Sequence, residues 1–234
     1  MIRTVFIYIW VILVTFVLGI AAMLTSFFSR SGNTAHQIAH IWAKSIMTVS
    51  GVKVNISGFE NINPEMSYIY MCNHQSNFDI LVLLAFLPVQ FRWLAKAELF
   101  KIPIFGHGMR CAGYISIDRS NQASAFQSIS EAARKIKNGV SVMIFPEGTR
   151  SQDGKIKSFK KGGFVLAVDS GVPVVPIVLK GTHAIMPKGN LRISPGPVEM
   201  EIQKPIATSD YSRESKENLM DLVKTVMHEH FDTQ

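Results

Sequence analysis

The chain has 234 residues, 47% of them hydrophobic, with a formal charge of +7 and a sequence pI near 9.5. That length suffices for one α/β core of ordinary size, and the charge favours an acidic partner: nucleic acid, an anionic membrane or a phosphorylated substrate. The basic residues are scattered and no finger, RNP or helix-turn-helix signature is present, which argues against nucleic acid. Two cysteines, Cys72 and Cys111, supply no disulfide framework and read as reduced core residues, and no Cys/His spacing points to zinc.

From Thr4 to Ser29 there is no charged residue, with Arg3 before the run and Arg30 after it. A bilayer core takes about 20 apolar residues, so this segment is long enough to cross one. Three readings stand. A signal peptide would use Val5 to Leu18 as its apolar region and Gly19 to Ala22 for cleavage. A transmembrane span would use the whole run. An interfacial anchor would pair it with Thr34 to Val49, where Ala35, Ile38, Ile41, Trp42, Ser45, Ile46 and Val49 make one face. His36, Gln37, His40 and Lys44 make the other.

Beyond residue 50 strand-like and helix-like segments alternate, which predicts a mostly parallel sheet flanked by helices. The strands are placed at Val52 to Gly58, Tyr68 to Cys72, Phe91 to Ala95, Gly113 to Ile117, Val140 to Phe145 and Val174 to Leu179. Ser120 to Asn138 reads as a helix capped by Ser120 and stopped by Gly139, and Gly162 to Ser170 as a shorter one ended by Gly171. Leu191 to Ile202 reads as edge strands around Pro195-Gly196-Pro197, and Arg213 to His230 as a closing amphipathic helix.

Polar clusters follow three of these apolar runs. Asn73-His74-Gln75-Ser76-Asn77-Phe78-Asp79 comes first, with an imidazole and a carboxylate five residues apart. A histidine titrating near pH ~6.5 takes a proton from a hydroxyl, and a carboxylate fixes its tautomer and stabilises the imidazolium. Five positions inside one helix would turn the two apart. The pairing therefore predicts His74 in the loop after the strand and Asp79 in the first turns of a helix whose apolar face is Phe78, Ile80, Leu81, Leu84 and Ala85. Ile117-Asp118-Arg119 ends a second run and Phe145-Pro146-Glu147-Gly148-Thr149-Arg150 a third. Together they make a site for an anionic substrate, at strand ends where open α/β sheets build their sites. There is no G-x-S-x-G elbow, so Ser76 reads as a helix cap or supporting donor rather than a nucleophile.

These blocks resemble the glycerolipid acyltransferase family. Its N-H-x-S-x-x-D block is matched by Asn73, His74, Ser76 and Asp79, and its I-D-R-like run by Ile117, Asp118 and Arg119. Its F-P-E-G-T-R-S block is matched by Phe145 to Ser151, and its V-P-I/V-x stretch by Val175 to Val178. The resemblance covers roughly Lys53 to Ile206. It implies a glycerol-3-phosphate acyltransferase-like α/β fold, with an anchor of two helices (residues 1–50) docked in one leaflet and a catalytic domain (51–234). It implies acyl transfer from acyl-CoA or acyl carrier protein to the sn-2 hydroxyl of lysophosphatidic acid, giving phosphatidic acid. Glycerol 3-phosphate or another lysophospholipid is the alternative acceptor, and a non-catalytic lipid-binding protein the alternative of another class. His74 would be the general base and Asp79 its partner. Arg150, Arg119 and Lys96 would hold the phosphate, and Glu147, Gly148 and Thr149 would complete the acceptor site. No cofactor or metal is expected. The resemblance also implies a bacterial inner-membrane enzyme with its site on the cytoplasmic face.

Overall fold

The computed structural model describes residues 1–28, 31–118 and 122–232. Among them the strands β1 (Lys53–Ser57), β2 (Ile69–Cys72), β3 (Phe91–Lys96), β4 (Ile115–Ile117), β5 (Ser141–Ile144), β6 (Val174–Lys180) and β7 (Pro197–Ile202) form one sheet. Its order is β1-β7-β6-β2-β5-β3-β4, parallel except where β7 runs against β6. The helices are α1 (Ile2–Thr25), α2 (Asn33–Ser50), α3 (Phe78–Phe86), α4 (Phe105–Cys111), α5 (Gln122–Lys137), α6 (Gly162–Ser170), α7 (Thr182–Ile185) and α8 (Lys216–Asp232).

β2 and β5 are buried along their whole length, as uninterrupted apolar runs in a covered parallel sheet must be. Side chains alternate across them with the period of two that a strand imposes. Tyr70, Cys72 and Met143 join a core with residues of α1 to α4; Ile69, Met71, Val142 and Ile144 join another with residues of α5, α6 and α8. The molecule is thus a three-layer α/β/α stack.

Three sequence expectations need correction. Leu191 to Ile202 does not form edge strands: only Pro197–Ile202 is strand, and it lies inside the sheet between β1 and β6. Pro197 is tolerated because it is the first residue, where a missing N–H costs the ladder little. Helix α3 has no polar side, because α2 covers it; every residue from Phe78 to Ala85 is buried except the half-buried Ile80. In α2, His36 and His40 face inward: one Nδ1 lies 3.0 Å from the Tyr114 hydroxyl and the other donates to the Leu84 carbonyl at 2.9 Å, whereas Ile41 is exposed. The imidazoles go inside because each finds a partner there.

Helices α1 and α2 run antiparallel, with Arg3 donating to the Ser50 carbonyl and Trp42 to the Thr15 hydroxyl. The turn between them is fastened to the sheet by Arg92 on β3, a buried guanidinium that donates to the Ser31 carbonyl and to Asn33 Oδ1 at 3.1 and 2.5 Å. The outer side of α1 is a different matter. Ile2, Phe6, Ile9, Leu13, Phe16 and Val17 are more than half exposed, on a helix long and apolar enough to cross a membrane by length and composition.

Candidate active site

Strand register decides what meets what at the C-terminal end of the sheet. Met71 on β2 pairs with Ile144 on β5. His74 and Glu147, each three residues further on, therefore leave the sheet side by side. The His74 backbone N–H donates to Glu147 Oε1 at 2.7 Å, and the His74 carbonyl accepts from the Ser151 N–H at 2.8 Å. Asn73 extends the other flank: its side-chain amide donates to the Leu179 carbonyl at 2.8 Å and accepts from the Leu179 N–H at 2.7 Å, pairing with β6 as a strand residue would. The histidine loop is thus tied on both sides by groups the sheet itself positions.

Asp79 sits in the first turn of α3, fully buried. Its Oδ2 accepts from His74 Nδ1 at 2.8 Å and from the backbone N–H groups of Gln75 and Ser76 at 2.6 and 2.8 Å. Three charge-assisted bonds to one oxygen hold the imidazole in one orientation. With Nδ1 donating, Nε2 carries the lone pair. The ring also stacks on Phe145, centroids 3.8 Å apart and planes 8° from parallel, and lines a cavity of about 350 Å³.

That cavity has an apolar body and a basic mouth. Leu18 and Gly19 of α1, Ile38 of α2, Leu84 of α3 and Met109 of α4 wall the body. Lys96, Arg150 and Lys188 line it too, with Gly148 and Thr149 beside them. Gly148 stands at φ 73°, a conformation that glycine adopts without strain, and closes the turn that presents Arg150.

The expected site residues do not all meet the cavity. His74, Gly148, Thr149, Arg150 and Lys96 line it; Glu147 does not. Glu147 is 2% exposed, and its second oxygen accepts from the Lys157 N–H at 2.9 Å, so both oxygens brace the histidine loop. Burial pushes its carboxyl up from 4.5 to about 7, against the pull of its two backbone donors and the Lys157 charge, with the Asp79 carboxylate adding to the rise. Lys96 is well exposed and lies 3.6 Å from Glu98. Arg119 and the Ser120 cap lie outside the described residues. Sequence reasoning missed Phe145 as the base of the imidazole and Lys188 as a cavity residue; the only sign of the latter was a basic residue in a Pro-Lys-Gly turn. Among the described residues no three His, Cys, Asp or Glu side chains converge as a metal would require.

Comparison with known proteins gives the family and the fold. The Acyltransferase family model matches residues 53–180. A 1-acyl-sn-glycerol-3-phosphate acyltransferase of Cocos nucifera is 36% identical over 202 residues, covering 86% of this chain and 64% of that protein. The chloroplastic enzyme LPAT1 of Arabidopsis thaliana is 43% identical over 173 residues, covering 73% and 48%. The chain therefore spans about half to two thirds of the length of these curated relatives. The crystal structure of the 1-acyl-sn-glycerophosphate (LPA) acyltransferase PlsC from Thermotoga maritima superposes with a TM-score of 0.85 at 33% identity, covering 98% of this chain and 93% of that one. With a family model matched over more than half of the chain and a hydrogen-bonded His/Asp pair where the matched blocks meet, this chain belongs to the acyltransferase family.

Proposed function

We propose that the protein transfers a fatty acyl group from an acyl thioester to the sn-2 hydroxyl of lysophosphatidic acid, releasing phosphatidic acid and a free thiol. The observation that carries this reading is the pair of buried Asp79 and cavity-lining His74, beside a basic mouth and an apolar cavity walled partly by α1. His74 Nε2 takes the proton as the acceptor oxygen attacks the thioester carbonyl; the C–S bond then breaks and the imidazolium returns that proton to the departing sulfur. Asp79 stays ionised and balances the imidazolium. Arg150 holds the acceptor phosphate with its planar guanidinium, and Lys96 stands at the same mouth. The acyl chains lie against the apolar wall. The donor is acyl-CoA or acyl carrier protein.

The same reading makes α1 and α2 a membrane anchor and residues 51–234 the catalytic body. Supporting it is the exposed apolar side of α1, on a helix long and apolar enough to cross a membrane. The same reading places the protein on a bacterial inner membrane, with the site facing the cytoplasm.

The test is thiol release from a long-chain acyl-CoA by detergent-purified protein, with lysophosphatidic acid and glycerol 3-phosphate offered separately. Release with lysophosphatidic acid alone, lost in His74→Ala while the fold survives, is expected. Release with glycerol 3-phosphate alone would overturn the acceptor. Silence with both acceptors, repeated with acyl carrier protein as the donor, would overturn the reaction.

A further inference from the structure

Several cations of this protein meet another chain segment through a carboxylate. Lys161 reaches Glu217, Lys180 reaches Glu201, and Arg213 reaches Asp169. Lys188 and Arg150 do not. Both line the cavity mouth, and among the described residues neither is paired with a carboxylate. Lys188 Nζ is held only by neutral oxygens, the Arg150 carbonyl at 3.2 Å and the Thr149 hydroxyl at 3.3 Å. An ammonium has three donors, so one remains for a ligand.

The loop bearing Lys188 is built to stay there. Ser76, fully buried in the histidine loop, donates its hydroxyl to the Met186 carbonyl at 2.8 Å and forms a β-bridge with Pro187. The same hydroxyl accepts from the Phe78 N–H at 3.1 Å, at the start of α3. Ser76 is therefore more than a helix cap: it rivets the 186–188 turn to the catalytic turn. An ammonium held against the Arg150 carbonyl, with one donor to spare and no carboxylate partner among the described residues, is placed to take an anion that enters the cavity.

We propose that Lys188 is a second phosphate-binding side chain of the acceptor site, with Ser76 as its positioning residue. The inference rests on the reading of the acceptor given above. A phosphomonoester carries a charge of about −1.5 to −2 at pH 7; with Lys96 already beside the Glu98 carboxylate, one guanidinium leaves roughly one charge unbalanced and the Lys188 ammonium supplies the rest. Arg150 gives the planar, bidentate contact and Lys188 the point charge.

The experiment compares wild type, Lys188→Met, Lys188→Arg and Arg150→Ala in acceptor KM, acyl-CoA KM and inhibition by inorganic phosphate. Lys188→Met is expected to raise the acceptor KM about tenfold, the size of one lost charge-assisted contact, with the acyl-CoA KM unmoved. It should weaken phosphate inhibition in parallel, and Lys188→Arg should recover most of both. Ser76→Ala should raise the acceptor KM in the wild-type background and leave it where it is in Lys188→Met; additive effects would detach Ser76 from Lys188. An acceptor KM unchanged in Lys188→Met but raised in Arg150→Ala would overturn the role of Lys188 and leave the reaction standing. If wild type turns over no lysophosphatidic acid, the reaction reading falls, and phosphate binding measured by calorimetry decides the site. Binding lost in Lys188→Met would then keep Lys188 as an anion ligand, and equal binding in both proteins would remove it.

Discussion

Asp79 gathers three donors on one oxygen, so a change at that residue separates orientation from binding. Asp79→Asn keeps the size and removes the charge that fixes the imidazole tautomer. It should lower kcat by about 10²–10⁴-fold with acceptor KM little changed, measured as thiol release under saturating donor. Glu147 invites a different experiment. Its folded-state pKa of about 7 lies above the ordinary 4.5, so between those values the folded protein holds a proton that the unfolded chain has released. Stability from this group is therefore fully present at low pH and is lost as pH rises through about 7. Glu147→Gln is neutral throughout, so the difference in urea midpoint between wild type and variant should shift across that window and level off above it. The His74–Asp79 pair was legible from spacing because both residues sit in one short loop and helix start. Phe145 and Lys188 were not, because sheet register and a bridge spanning more than a hundred residues deliver them, and neither leaves a local pattern.

Helices and strands were read well where a single pattern sufficed. β2, β5 and β6 appear as apolar runs because both sheet faces are covered, and α6 stops where Gly171 adopts φ 71°. Patterns failed where a neighbour overrides the local rule. The prolines around the start of β7 spoke for an edge, yet the antiparallel pairing with β6 draws that strand inside. The imidazoles of α2 spoke for a wet face, yet partners on β4's flank and α3 draw them in. The turn joining α1 to α2 is equally a matter of long-range fit. Gly32 stands at φ 75°, and a Cβ there would lie 2.9 Å from the Ala112 backbone. Gly32→Ala should therefore destabilise the fold by about 1–3 kcal/mol, read as a lowered urea midpoint together with faster proteolysis in that turn.

On the proposed reading, the net positive charge and the exposed apolar helix both serve contact with an anionic bilayer. Each large apolar side chain of α1 placed in lipid contributes about 1.5–3 kcal/mol relative to water. The double substitution Phe6→Glu and Phe16→Glu, both on the exposed side, should leave the protein in the soluble fraction when wild type floats with phosphatidylglycerol-containing vesicles; equal flotation would mean that another surface does the anchoring. Helix α1 is also a wall with two tenants. Its inner residues Leu18 and Gly19 line the cavity while Phe16 and Val17, a fraction of a turn away, face outward. On the proposed reading, one turn of helix is all that separates the reacting acyl chains from the acyl chains of the bilayer. Acceptor and product then exchange by sliding sideways in two dimensions, and turnover should follow the fluidity of the surrounding lipid rather than the viscosity of the water above it.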